Sequence, residues 1–332
     1  MSNNIIFSSR TVLPLNEPVL NSYNLYASLL SLTTSNAQTW PWVMNNFIQI
    51  MHMDEYGTFF FDTHRLLFNH CPWVNTFKIP KEMINSKWGS FKNFVIEQIN
   101  LKRYLWLSVN QYYLPTSDNF NKEHYIHEIF IYGYDIGNNL VFIADNFNDG
   151  KYIHCKCTFE ELEKAYSRMD YKDEFSSDVF LYTKKEDVSE QFNINQIFYF
   201  IKCYLESKNT YNLTIENCTF GLQAAELLSK KMEVSMFEMV DIRGFHLLWE
   251  RSKLMVERFK YIKLNYDYNI GDQLINDYLE FEKSLLILRN LLLKYNHTFD
   301  KKILVRANKI LNGYIKDEKI VLSYFLNSIS ND

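Results

Sequence analysis

A chain of 332 residues can bury a sizeable core, as one large domain or two modest ones. Its 35 Lys+Arg and 39 Asp+Glu leave a net charge of −4 with no block of like charge, which excludes the basic footprint of a nucleic-acid binder. With 23 Tyr and 26 Phe against only 9 Gly, the composition implies a packed aromatic core and excludes a disordered chain.

The N-terminus, Met1 to Phe7, lacks a basic stretch followed by a long apolar run. No run of about 18 uncharged apolar residues occurs anywhere, so a cytoplasmic protein without membrane association is expected. Cys71, Cys155, Cys157, Cys203 and Cys218 are odd in number and irregularly spaced, which suits reduced thiols rather than a disulfide framework.

In chain order, apolar residues at Leu25, Leu29 and Leu32, with Tyr26 and Leu30 beside them, predict a helix from Ser22 to Leu32, buried on one side. Segments 104–110, 126–134, 140–144, 152–157 and 179–182 are strand-like. Turn residues at 137–139 and 148–150 separate several of them, so an antiparallel sheet is expected. Thr158 and Glu161 form a capping box that opens a short helix running toward Met169. The polar run Lys184 to Asp187 then marks a change of texture, which predicts one domain over 1–186 and a helical bundle over 187–332. In that second half, Leu274, Tyr278, Phe281, Leu285, Leu288 and Leu292 recur at alternating spacings of four and three along one helical stripe. Intramolecular core is the simpler role for this stripe, and homodimerisation is the alternative. Phe245, Leu248, Met255 and Phe259 predict a second helix, and Ile303, Ala307, Ile310, Tyr314 and Leu322 a third.

Three places bear on chemistry: the helix start at Asn21-Ser22-Tyr23, the segment 124–135 containing His127, and Ile143-Ala144-Asp145-Asn146. His127 opens one strand and Asp145 closes the next, so a hairpin can bring them together. Each has a bland reading when taken alone. A histidine at a strand start is commonly just half-buried, Asp-Asn commonly ends a strand, and Ser22 can be a simple N-cap. His154-Cys155-Lys156-Cys157 invites a metal reading, but no second Cys pair has matching spacing, so no metal site is expected.

The ordered set resembles the papain-like acyltransferases of the butirosin biosynthesis protein H N-terminal family, which includes closthioamide-type amide synthases. The resemblance is carried by Ser22-Tyr23 with Ala27-Ser28-Leu29-Leu30, by Trp40-Pro41-Trp42 and Asn45-Asn46-Phe47, by Gln111-Tyr112-Tyr113-Leu114-Pro115, and by the His127 and Asp145 segments. It covers roughly residues 15 to 185. It implies an α+β papain-like cysteine-protease fold, in which an N-terminal helix packs on an antiparallel sheet, followed by an α-helical C-terminal region.

It also implies an enzyme with a Ser22, His127 and Asp145 triad that moves an acyl group from a phosphopantetheine thioester on a carrier protein to a small-molecule or peptide amine, in antibiotic or nonribosomal-type peptide biosynthesis. His127 would shuttle the proton, and Asp145 would hold the ring's tautomer. No resident cofactor is implied, because the thioester is already activated. The backbone amide of residue 22 would help form the oxyanion hole, with Asn21 and Asn16 as side-chain candidates, while Tyr112 and Tyr134 would shield or bind substrate. The chain departs from the family at the nucleophile, where Ser22 replaces cysteine. Three explanations stand open: an engineered Cys→Ser change, a native serine nucleophile, and a pseudoenzyme that keeps the fold for binding carrier protein. A thioesterase or peptidase using the same triad with water is the alternative activity.

Overall fold

The computed structural model describes residues 8–64, 67–169, 177–211, 217–234, 238–266 and 270–329. The architecture is mixed α+β with antiparallel sheets and a helical C-terminal region. The chain divides into two units, residues 1–39 with 66–189, and residues 40–65 with 190–332.

The first unit is built on β1 (Arg10–Val12), β4 (Val74–Pro80), β5 (Tyr104–Asn110), β6 (Ile126–Asp135), β7 (Leu140–Phe147), β8 (Lys151–Thr158) and β9 (Asp178–Lys184). The order is β4-β9-β5-β6-β7-β8, with β1 also pairing along β6. The predicted strands fall on β5 to β9, each extended by up to three residues. β5 lies between β6 and β9, and all seven of its residues are buried, which is why it reads as a continuous apolar run rather than an alternating one. β6 is exposed at Ile126 and buried from Ile129 to Tyr134, so His127 stands where the strand leaves the core. A bulge between Ile131 and Gly133 interrupts the β6–β7 register, and a Cβ at Gly133 would lie 2.8 Å from the Thr11 carbonyl of β1. Only glycine admits that close approach.

The helices of this unit are α1 (Asn24–Thr33), α3 (Leu67–His70), α4 (Lys81–Trp88), α5 (Phe91–Asn100) and α6 (Phe159–Ser167). α6 has both arms of the predicted capping box: Glu161 N–H donates to Thr158 Oγ1, and Thr158 N–H donates to Glu161 Oε2. α1 differs from the one-sided expectation, since every residue from Asn24 to Thr33 except Leu25 is buried. Two of its buried polar side chains find partners inside the fold. Thr33 Oγ1 donates to the Leu29 carbonyl, and Ser28 Oγ lies 3.0 Å from the Tyr152 hydroxyl.

The second unit holds α2 (Trp40–Asn45), β2 (Ile50–Met53), β3 (Thr58–Phe61), α7 (Ile194–Leu205), β10 (Cys218–Phe220), α8 (Gly221–Val234), α9 (Arg243–Asn265), α10 (Asp272–Thr298) and α11 (Lys301–Ile329). The division therefore differs from a single cut at 186/187: residues 40–65 group with the helical half. The physical reason is strand pairing across a long sequence separation, with Met51, His52 and Met53 of β2 opposite Phe220, Thr219 and Cys218 of β10. The three predicted helices are α9, α10 and α11. Along α10 the stripe Tyr278, Phe281, Leu285, Leu288 and Leu292 is buried inside this unit, and Ile275 rather than Leu274 continues it.

A polar cluster unannounced by periodicity lies in this helical core. Arg251 and Glu318, both fully buried, pair at 2.5 Å, and the Tyr204 and Tyr278 hydroxyls donate to the same carboxylate. Arg258, also fully buried, donates to the carbonyls of Met44 and Asn46, while Arg251 donates to that of Ile48. These arginines satisfy carbonyls in the last turn of α2 and in the segment that follows it.

Candidate active site

His127 and Asp145 meet as the hairpin predicts, though not directly opposite each other. Phe130 pairs with Ala144 and Ile131 with Ile143, so two-residue alternation puts His127 and Asp145 on one face in a diagonal relation. His127 Nδ1 lies 2.9 Å from Asp145 Oδ2, with the imidazole a quarter exposed and the carboxylate fully buried. A carboxylate can only accept, so the ring donates from Nδ1 and turns Nε2 outward as the exchangeable site. Burial pulls the imidazole pKa down, but the Asp145 charge and hydrogen bond outweigh it and raise it to about 9. His127 is therefore an imidazolium at neutral pH. The Tyr125 ring is stacked on it, with centroids 5.3 Å apart at 19°.

Ser22 is 7% exposed and precedes the helix rather than capping it: Tyr23 is the N-cap and α1 starts at Asn24. The amide of residue 22 thus lies outside the helical turn whose orphan N–H groups would form an oxyanion hole. The loop carrying Ser22 is tethered on both sides to the residues that follow the pair. Asn24 Nδ2 donates to the Glu128 carbonyl at 2.9 Å, and Asn146 Nδ2 donates to the Asn21 carbonyl at 3.3 Å. Ser22 is consequently held between anchors on β6 and β7, one residue beyond His127 and one beyond Asp145.

Other predicted site residues fall elsewhere. Asn16 is exposed, and its backbone N–H donates to the Ser31 carbonyl toward the far end of α1, about 10 Å along the helix from its first residue, Asn24. Asn16 is thereby corrected out of the oxyanion role. Tyr134 is fully buried, and its hydroxyl bonds the Ser8 carbonyl and the Asn100 amide, about 23 Å along β6 from His127. It is a core residue, and the correction follows from its position on the β1 side of the bulge. Asn21 is exposed and contributes its carbonyl to the Asn146 tether. Tyr112 is half-buried, with its ring stacked on His124 at 4.3 Å rather than on His127.

Sequence reasoning missed Gln111 as a site residue. It opens the short turn Gln111–Tyr113 after β5, is 3% exposed, and donates from Nε2 to Asp145 Oδ2 at 2.7 Å. The only available signal was a polar residue immediately after an apolar strand, inside the Gln111 to Pro115 motif.

The cysteines remain free thiols, and burial pushes both Cys71 and Cys155 up to about 12, so neither is a thiolate at neutral pH. No cluster of three or more metal-ligating side chains occurs among the described residues, and none of the described helices is long and apolar enough to cross a membrane. A cleft of about 540 Å³ lined by Phe198, Tyr199, Lys202, Leu205 and Ser323 belongs to the helical unit and contains none of the predicted site residues. In comparisons with known proteins, no family model matches the chain and no curated protein is detectably similar to it.

Proposed function

We propose that the first unit is a papain-like acyl-transfer domain, shaped for a nucleophile at position 22, that moves an acyl group from a carrier-protein phosphopantetheine thioester to an amine. The observation that carries this reading is the buried Asp145 bonded to His127, with the Ser22 loop tethered to the neighbours of both. In the proposed reaction a thiolate at position 22, paired with the imidazolium, attacks the thioester carbonyl and the C–S bond breaks; with Ser22, a deprotonated His127 must first take the hydroxyl proton. The pantetheine thiol leaves with the imidazolium proton. The amine then attacks the acyl-enzyme, His127 takes its proton, and residue 22 is released as the amide forms. Carrier protein and amine acceptor are the implied partners, and a cytoplasmic setting suits that chemistry.

The charge state of His127 bears on the nucleophile. An imidazolium stabilises a thiolate beside it but cannot accept a hydroxyl proton until it is deprotonated, near pH 9. The site is therefore suited to cysteine, and Ser22 makes it slow at neutral pH. Intact-protein mass spectrometry of this chain and of Ser22→Cys, after exposure to a loaded phosphopantetheine thioester and then to amines, tests the reading. Acylation of the Cys variant near neutral pH, discharged by amine as an amide, is the expected result. Release of free acid alone would make the protein a thioesterase, and absence of acylation in both proteins would overturn the reading.

A further inference from the structure

Asp145 is buried without any of its surface in water, and an ionised carboxylate survives there only if its oxygens are met by donors. Among the described residues three donors reach it. The Asn146 N–H takes Oδ1 at 2.6 Å, whereas Gln111 Nε2 at 2.7 Å and His127 Nδ1 at 2.9 Å share Oδ2. Gln111 is itself oriented: its Oε1 accepts from Ser117 Oγ at 2.8 Å and from Asn119 Nδ2 at 3.3 Å. Turning the amide over would face its carbonyl to the carboxylate and its NH₂ to the Asn119 NH₂, so two repulsions fix the orientation. The polarity of the chain therefore runs one way, from Ser117 and Asn119 through Gln111 to Asp145 and on to His127. The backbone reinforces it, because the Gln111 N–H donates to the Tyr125 carbonyl at 2.8 Å, two residues ahead of His127.

We infer that Gln111 is the positioning residue of the pair. It fixes the carboxylate so that Oδ2 faces the imidazole, which holds the Nδ1 proton in place and leaves Nε2 for chemistry. The inference rests on reading His127 and Asp145 as the working pair, but its test needs no substrate.

The test is proton NMR of the full chain, following the downfield, exchange-protected Nδ1 proton of His127, assigned by its loss in His127→Gln. Wild type is compared with two near-isosteres. Gln111→Met fills the space without a donor. Gln111→Glu can donate to Asp145 only while its own carboxyl is protonated. We expect the signal in wild type, its loss in Gln111→Met while the near-UV circular dichroism of the folded protein is kept, and its return on acidification in Gln111→Glu. Ser117→Ala removes one of the two contacts that orient the amide, and it should speed exchange of that proton severalfold without abolishing the signal. A Gln111→Met protein that keeps the wild-type signal and exchange rate overturns the positioning role. If Gln111→Met does not fold, a Gln111→Glu signal that ignores pH overturns it equally. Absence of the signal in wild type would instead overturn the His127–Asp145 pairing, and with it the proposed function.

Discussion

Replacing Asp145 by asparagine removes the charge that opposes burial at His127 while keeping the side-chain shape. In the folded protein burial lowers the imidazole pKa and Asp145 more than compensates, raising it from 6.5 to about 9. At 1.36 kcal/mol per tenfold change, that separation corresponds to about 3 kcal/mol of stability. The sign follows from the raised folded value. The contribution is fully present below the unfolded pKa of 6.5, and it is lost as pH rises through about 9, where the folded imidazolium gives up its proton. In Asp145→Asn burial is opposed only by the Glu128 charge and a Glu128 backbone hydrogen bond, so the ring should titrate well below 9 and the protein should lose up to about 3 kcal/mol near neutral pH. The deficit should shrink above about pH 9, where the wild-type ring is also neutral. A remainder will persist, because asparagine has one acceptor oxygen where Asp145 serves Asn146, Gln111 and His127 with two. Titration of the His127 Cε1 resonance, combined with denaturant unfolding at neutral and alkaline pH, measures both quantities. A wild-type midpoint near 6.5, or one unchanged in Asp145→Asn, would refute the reasoning.

Three further outcomes are expected. Asn24→Ala deletes the tie from the start of α1 to the Glu128 carbonyl; it should cost about 1–3 kcal/mol in denaturant unfolding and slow alkylation of a Ser22→Cys thiol by iodoacetamide, since the loop is no longer registered against His127. Thr158→Ala removes one arm of the α6 capping box and should cost about 1 kcal/mol by thermal or chemical unfolding. In the helical unit, Glu318→Leu leaves the fully buried Arg251 without its carboxylate and should cost about 3–5 kcal/mol, whereas adding Arg251→Met should recover only part of that loss, because the Tyr204 and Tyr278 hydroxyls and the Ile48 carbonyl lose these partners; a double-mutant cycle by urea unfolding reads the difference.

The local elements are written in the order of the residues. Strand runs such as 104–110, the capping box at Thr158 and Glu161, and the spacing of Tyr278, Phe281, Leu285, Leu288 and Leu292 each depend on neighbours within a few residues, where propensity and periodicity act. The His127–Asp145 pair was legible for the same reason, since a hairpin with turn residues between two strands brings its arms together. Relations across long sequence separation emerge only when the chain is packed. Residues 40–65 belong with the helical half because β2 pairs with β10, more than 160 positions away, and no local signal announces that choice. Asn16 and Tyr134 had chemically suitable side chains, but the fold tied Asn16 to the far end of α1 and sealed Tyr134 under β1. Gln111 reads in sequence as one polar residue after an apolar strand. Only the packing of its turn against β6 and β7 aims its amide at a buried carboxylate, because the donors a buried charge requires are supplied by whichever elements the fold brings to it.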